Sequence, residues 1–484
     1  MSIVTIQELD LCRNRMAREE LRRAFHEALD LWFDRWEKIM EEKRPGLSLA
    51  EMTEVLREHR QELTAMIMQK WLESKYREWL AQETASCRKC GRVLRRWGMS
   101  RRRVETLIGG FELKRPYFYC RECKEGFHPL DEALRLAPGE KQYDMEAAGV
   151  RVAAEMSYEA AAELFEELTK TRLSDETLHE GVGQVGEGLG VLDVAPTADE
   201  MRAKVAEVAK GKARRPVLVL AIDGAHMPTR PDSARGPGEG VKRARARRPE
   251  WKGQWREAKG FRFYLADGDR IVHLLAWHQI GSDEELAAAL RQVKEAGLFD
   301  ESSVRLCVVA DGARWIWKVV HELFPTAREI LDYYHCSEHL HGVAQAQWGD
   351  GVPGLEWVEG TVARLFCGEV DEVIESLRAL KPRTAEAEKV IARCAAYLEA
   401  NRHRVDYGSY ERGGYPLDSG GIESAHRFIC QARLKLPGAW WYVGNANAML
   451  ALRCAKYNGT FERVFEKYAQ REQGRPRPGP ANRS

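Results

Sequence analysis

No stretch of this chain approaches the roughly 20 consecutive apolar residues of a bilayer-spanning helix, so a membrane protein is not expected. The opening Met1-Ser-Ile-Val-Thr-Ile-Gln-Glu lacks the basic and apolar regions of a secretion signal. Net charge is almost absent as well. With 75 Lys and Arg against 74 Asp and Glu the total is +1, so any polyanion-binding surface has to come from local blocks. Cysteine is scarce, 11 in 484 residues, and an odd number cannot pair off completely. Four cysteines form two Cys-x-x-Cys pairs and the others are scattered singly. Without a secretion signal this favours metal binding and reduced core thiols over a disulfide framework, and a cytoplasmic location.

What the chain does have suits a large soluble protein: 44% hydrophobic and 31% charged residues, with length for two to four domains. Its most informative stretch is Arg215-Pro216-Val-Leu-Val-Leu-Ala-Ile-Asp223-Gly224. Six apolar residues between Pro and an Asp-Gly pair read as a strand buried on both faces. An isolated carboxylate there is too costly to leave unpaired, so Asp223 is expected to face a partner, a cation or a cleft. Val304-Arg-Leu-Cys-Val-Val-Ala310-Asp311-Gly312 repeats the pattern. Two such strand ends side by side in a parallel sheet would aim two carboxylates at one point.

Upstream, residues 1–82 carry apolar side chains at helical spacing, with a break at Pro45-Gly46 and a capping-box pattern at Ser48 and Glu51. Residues 83–135 hold Cys87-Arg-Lys-Cys90 and Cys120-Arg-Glu-Cys123, separated by 29 residues in which two strand-like runs flank Gly109-Gly110. Two knuckles joined by a hairpin predict a zinc ribbon with a structural Zn²⁺ on Cys87, Cys90, Cys120 and Cys123. Eleven Lys or Arg against three acids between Cys87 and Cys123 leave a local excess of +8. Arg95, Arg96, Arg101, Arg102 and Arg103, with Lys114 and interleaved Trp97, Tyr117 and Tyr119, read as a phosphate-contacting surface. A ribbon that only staples the fold is the plainer alternative. Residues 140–200 suggest a helix-turn-helix-like DNA-binding segment with Ser174 as an N-cap, or an ordinary helical pair.

From residue 212 strands and helices alternate: three strands, the last two a hairpin around Asp267-Gly268, then helix, strand, helix, strand into Leu331-Asp332-Tyr-Tyr-His335. In a multidomain α+β chain, this order matches a ribonuclease-H-like mixed-sheet domain at 212–337. The residues that follow, 338 to about 405, read as helical. A basic, Gly- and Pro-rich loop covers 230–256, and residues 466–484 read as a disordered basic tail. Glu423 opens a later helix after Gly420-Gly421. Two aspartates on adjacent strand ends plus one helical glutamate are the minimum for two divalent cations, and hard oxygen donors suit Mg²⁺ or Mn²⁺. Taken singly, Asp-Gly after a strand is often only a turn. Glu423 alone would be a first-turn carboxylate stabilised by the helix dipole, and His335 alone a satisfied core histidine.

The segments Ala-Ile-Asp-Gly, Val-Ala-Asp-Gly-Ala-Arg-Trp-Ile-Trp, Leu-Asp-Tyr-Tyr-His-Cys-Ser-Glu-His-Leu and Gly-Gly-Ile-Glu-Ser-Ala-His resemble the DDE transposases of bacterial insertion sequences, the ISKra group in particular. So does Asn445-Ala-Asn447-Ala-Met-Leu-Ala-Leu-Arg453. The resemblance implies a ribonuclease-H-like catalytic core at 212–337 and 413–465, interrupted before the Glu by an all-α insertion at 338–412, and Mg²⁺ on Asp223, Asp311 and Glu423. It also implies binding and cleavage of double-stranded DNA at element ends, strand transfer to target DNA, at least a dimer, and a nucleoid-associated location. Asp332-x-x-His335 resembles the Asp/Cys-x-x-His motif of related Mutator-like transposases, which would set His335 at the scissile phosphate or flanking strand. The adjoining Cys336-x-x-His339 permits a second registration. A catalytically silent DNA-binding protein derived from a transposase is the alternative, and a structure-selective nuclease of the same fold is a further one.

Overall fold

The computed structural model describes residues 6–42, 46–232, 251–268 and 270–474. The chain forms two compact units. One runs to Gly181 and resumes at Phe465; the other is Val182–Val464. Among the described residues no helix is long and apolar enough to cross a membrane.

In the first unit, helices Ile6–Glu42 and Leu49–Lys75 pack together, and Trp32 Nε1 donates to the His59 carbonyl at 2.9 Å. Ser48 caps the second helix as its sequence predicts. The Ser48 side chain accepts from Glu51 N, and Glu51 Oε2 accepts from Ser48 N at 2.8 Å. Ala65 of this helix meets Val104, Phe111, Leu113 and Leu130 in a small core beside the ribbon strands. Those strands are β1 (Thr84–Ser86), β2 (Val93–Arg95), β3 (Gly98–Thr106), β4 (Gly109–Cys120) and β5 (Glu125–Phe127). β1 pairs with β2, and β4 lies between β3 and β5. The β3–β4 turn is Leu107-Ile108, since Thr106 pairs with Gly109. Gly109-Gly110, expected as the turn, therefore begins β4 instead. Helices Tyr143–Ala153, Tyr158–Thr169 and Asp175–Gly186 follow, with the Ser174 hydroxyl accepting from Thr177 N at 3.1 Å.

The second unit is built on a five-stranded mixed sheet. Its strands are β6 (Val217–Thr229), β7 (Gln254–Asp267), β8 (Arg270–Ile280), β9 (Arg305–Ala310) and β10 (Arg328–Leu331), in the order β10-β9-β6-β7-β8. The β6–β7–β8 pairings are antiparallel and the β6–β9–β10 pairings parallel. Side chains alternate between the faces. Val217, Val219, Ala221, Tyr264, Cys307, Val309 and Ile330 share a core with helices Tyr333–Trp348, Val352–Phe366, Val370–Ala379 and Ala385–Ala400. On the other face Phe263 packs against Phe299 and Phe324.

Three sequence expectations are corrected here. β6 does not stop at Asp223: it pairs with β7 as far as Thr229, so the hairpin arm outruns β9, which ends at Ala310. Asp223-Gly224 is mid-strand rather than a turn. His335 is not on a strand either; β10 ends at Leu331 and Asp332 caps a helix starting at Tyr333. The expected boundary between core and insertion at 337/338 thus falls inside a helix. Finally, the tail expected to be disordered from 466 is helical through Gly474. Residues 475–484 and most of the basic loop, 233–250, lie outside the described residues.

Candidate active site and metal centre

β6 and β9 run parallel in a register that sets Ile222 beside Ala310. Asp223 and Asp311 are the next residue on each chain, so two carboxylates emerge at neighbouring points of one sheet edge, one strand spacing of roughly 4.8 Å apart in backbone terms. Asp223 continues the alternation of Val219 and Ala221 and faces the helical side. Burial pushes its carboxyl from 3.8 up to about 6; the Gly224 N–H and His335 oppose this, and Asp311 and Asp332 add to it. Asp223 Oδ1 accepts from Gly224 N at 2.7 Å, and Asp311 Oδ1 accepts from Ala313 N at 2.9 Å.

The third acid comes from helix Gly420–His426, which packs on β6 and β7 and continues through a π-helical turn, Arg427–Gln431. Its first turn lies flat on the sheet. A Cβ at Gly421 would come within 2.6 Å of the Tyr264 ring, so the missing side chain permits this close approach. Arg262, opposite Ala221 and buried, donates to the Gly421 carbonyl and, at 2.7 Å, to Ser424 Oγ. One turn beyond Glu423, His426 Nδ1 lies 3.7 Å from Asp223 Oδ2. Glu423 is exposed. Among the described residues, Asp223, Asp311 and Glu423 do not bring their three ligand atoms within 4.8 Å of one another, as two other sets of side chains do. Two cations about 4 Å apart do not demand that, because the outer acids of such a site touch different ions.

Asp332 links these parts. Its main-chain N–H donates to the Ala310 carbonyl at 2.8 Å, its Oδ1 accepts from His335 N at 2.9 Å and its Oδ2 accepts from Ser419 N at 2.6 Å. The Asp of Asp332-x-x-His335 is therefore a buried brace between the end of β9 and the start of the Glu423 helix. His335 is half-exposed, with Nδ1 3.6 Å from Glu338 Oε2, and near enough to Asp223 to act on its charge.

Sequence reasoning passed over Arg262, His278 and His426. Arg262 had a signal, a lone cation inside the apolar run of β7. His278 is fully buried, its two ring nitrogens have no hydrogen-bond partner, and its ring lies 5.0 Å from that of His426. Gly260, opposite Asp223, makes room for it, since a Cβ there would meet His278 Cδ2 at 2.1 Å. Burial and Lys435 push the His426 imidazole down to about 4, against the Asp223 main chain, so it is neutral near pH 7.

The ribbon cysteines do come together. Cys87, Cys90, Cys120 and Cys123 place their sulfurs within 4.8 Å of one another, with Cys90 and Cys120 at 3.7 Å. A tetrahedral zinc with bonds of about 2.3 Å sets its sulfurs about 3.8 Å apart. Knuckle N–H groups of Cys90 and Lys89 draw the Cys87 thiol down to about 7, while crowding by the other three sulfurs holds Cys123 up at about 12. A cation placed among them would favour the thiolate form of all four, and this donor set suits Zn²⁺.

Around the ribbon the arginines divide. Arg101 and Arg103 are exposed, paired with Glu112 and Glu105, and Arg95 is exposed. Arg96 is paired with Glu83. Arg102 instead turns inward to Asp131 Oδ2 at 2.9 Å and to the Ala137 and Gly139 carbonyls. It is committed to the fold, which removes it from the expected phosphate-contacting set. Strand periodicity forces this, because three consecutive arginines on β3 cannot share a face.

Fold and sites thus define a multidomain α+β protein with a mixed sheet and a four-cysteine cluster able to hold a metal such as zinc. The chain belongs to the uncharacterised protein family UPF0236, whose profile matches residues 42–471. No curated protein matches it.

Proposed function

We propose that this protein is a DDE transposase, which binds the ends of an insertion sequence and carries out metal-dependent cleavage and strand transfer of double-stranded DNA. The observation that carries this reading is the β6/β9 register, which sets Asp223 and Asp311 side by side under a helix bearing Glu423. A hairpin-linked strand trio followed by two parallel strands is also the order of a ribonuclease-H-like core. The two aspartates fit a divalent cation because their charges already work against each other, as the upward pull of Asp311 on Asp223 indicates. Asp223, Asp311 and Glu423 would hold Mg²⁺ or Mn²⁺, which when bound supplies activation of a water or 3′-hydroxyl and charge neutralisation at phosphorus. Arg262 and Asp332 fix the Glu423 helix on the sheet, and His335 at the rim is suited to hold a phosphate. The nucleophile is water or hydroxyl, so no protein–DNA bond forms. The ribbon's exposed cations supply DNA contact, and synapsis of two ends asks for at least a dimer.

A silent DNA-binding derivative is favoured by one observation, the exposure of Glu423 outside any tight three-ligand group. Nicking of duplexes carrying the element's terminal repeats, with and without Mg²⁺, separates the two. Wild type should cut and Asp311→Asn should bind without cutting. Cutting that survives the substitution refutes the site, and binding without cutting by the wild type selects the silent protein.

A further inference from the structure

A second cluster lies away from the sheet edge that carries Asp223. Glu329, on edge strand β10, is flanked by His321 from the last turn of helix Arg314–Leu323 and by His403 from the short turn Arg402–Arg404 that follows helix Ala385–Ala400. His321 Nε2 is 2.7 Å from Glu329 Oε1 and His403 Nε2 is 3.4 Å from Glu329 Oε2. The three ligand atoms all lie within 4.8 Å of one another. Tetrahedral zinc with bonds of about 2.0–2.1 Å separates its ligand atoms by about 3.4 Å, so small side-chain rotations would admit the ion.

The surroundings are those of a held ligand set. Arg404 Nε donates to Glu329 Oε2 at 2.6 Å; its Nη1 donates to Asn401 Oδ1 at 3.0 Å, and its guanidinium lies 4.2 Å over the Trp317 ring. Arg404 is buried, so it fixes the carboxylate orientation as outer-shell partners of metal ligands do. A carboxylate already neutralised by a buried arginine does not need two imidazoles to be satisfied. Yet both turn Nε2 toward it, each from a different element. Both rings are more than half exposed, which leaves an entry path and room for a water as fourth ligand.

We infer that His321, Glu329 and His403 form a site for a divalent transition metal, zinc being the best match to two imidazoles and a carboxylate. The ion would tie the helix after Asp311 and the edge strand to the end of the all-helical segment. The inference stands apart from the phosphoryl-transfer reading and holds for an active or a silent protein.

Zinc bound per chain, after equilibrium dialysis of the full-length protein against micromolar Zn²⁺, tests it. Wild type should hold one equivalent more than His321→Ala/His403→Ala, and added Zn²⁺ should raise the melting temperature of the wild type further. The Cys cluster is intact in both, and its thiolate-to-cobalt absorption in Co²⁺-loaded samples should be unchanged. If the alanine pair does not fold, His321→Gln/His403→Gln, which keeps the side-chain bulk, is read the same way. Equal zinc counts in wild type and a folded variant overturn the inference.

Discussion

The Asp332 carboxylate is shared between two helix starts, accepting from His335 N at 2.9 Å and from Ser419 N at 2.6 Å. Both amides lose their acceptor in Asp332→Ala, and stranded buried donors cost roughly 1–3 kcal/mol each. Urea denaturation should therefore register a loss of about 2–4 kcal/mol. Asp332→Asn keeps one carbonyl oxygen and should lose less stability. It should still lose most Mg²⁺-dependent nicking, because the segment it releases leads into the Glu423 helix. Full activity in a folded Asp332→Asn protein would remove the brace from the site.

Asp223 makes stability depend on pH with a definite sign. Its folded-state pKa, about 6, is raised above the ordinary 3.8. The folded protein therefore binds this proton more tightly than the unfolded chain, a contribution that is complete below about pH 4 and lost as pH rises through 6. Asp223→Asn removes the cost of the buried charge. The variant should be more stable than wild type at pH 8 by roughly 1–3 kcal/mol, with the difference shrinking toward pH 4. Stabilising the fold while abolishing cleavage is the signature of a charge kept for function. An Asn variant less stable at pH 8 would show the carboxylate to be structural.

The same residue illustrates how far the sequence could be read. The apolar runs before Asp223 and Asp311 gave the parallel strand pair, and the Cys-x-x-Cys spacing gave the four-sulfur cluster, because both are local signals. Where β6 ends was not legible. Asp-Gly signals a turn, but pairing with Arg256, Glu257 and Ala258 on β7 carries the strand onward. The role of Asp332 was hidden for a similar reason, since its second acceptor contact is to a residue 87 positions away. His278 and His426 face each other only through tertiary packing, and no spacing rule relates them.

The four cysteines should behave as one unit. Cys120→Ser removes a buried sulfur that lies 3.7 Å from Cys90. Zinc content should fall by one equivalent, as should the Co²⁺ thiolate absorption. Structural zinc contributes on the order of 10 kcal/mol of binding free energy, so treating wild type with a strong chelator should reproduce the variant's loss of ribbon structure. Thermal melts with and without chelator would check this. A variant that keeps its zinc would mean the sulfurs are only neighbours.

Two arginines of the ribbon should fail in opposite ways. Arg102 sits with Asp131 inside the unit, its side chain 11% exposed. Arg102→Met withdraws one of the guanidiniums that balance a buried carboxylate, Arg115 being the other at 2.5 Å, and should cost roughly 3–5 kcal/mol. Arg95 ends its strand in solvent, so Arg95→Ala should leave stability within about 0.5 kcal/mol of wild type. If the ribbon touches DNA, Arg95→Ala should weaken binding about equally for all sequences and lower the slope of log K against log salt by about 1. Denaturation gives the first quantity and fluorescence anisotropy across a salt series the second. A stable Arg102→Met protein with weakened DNA binding, beside an Arg95→Ala protein with an unchanged salt slope, would exchange the two roles and return Arg102 to the phosphate-contacting surface.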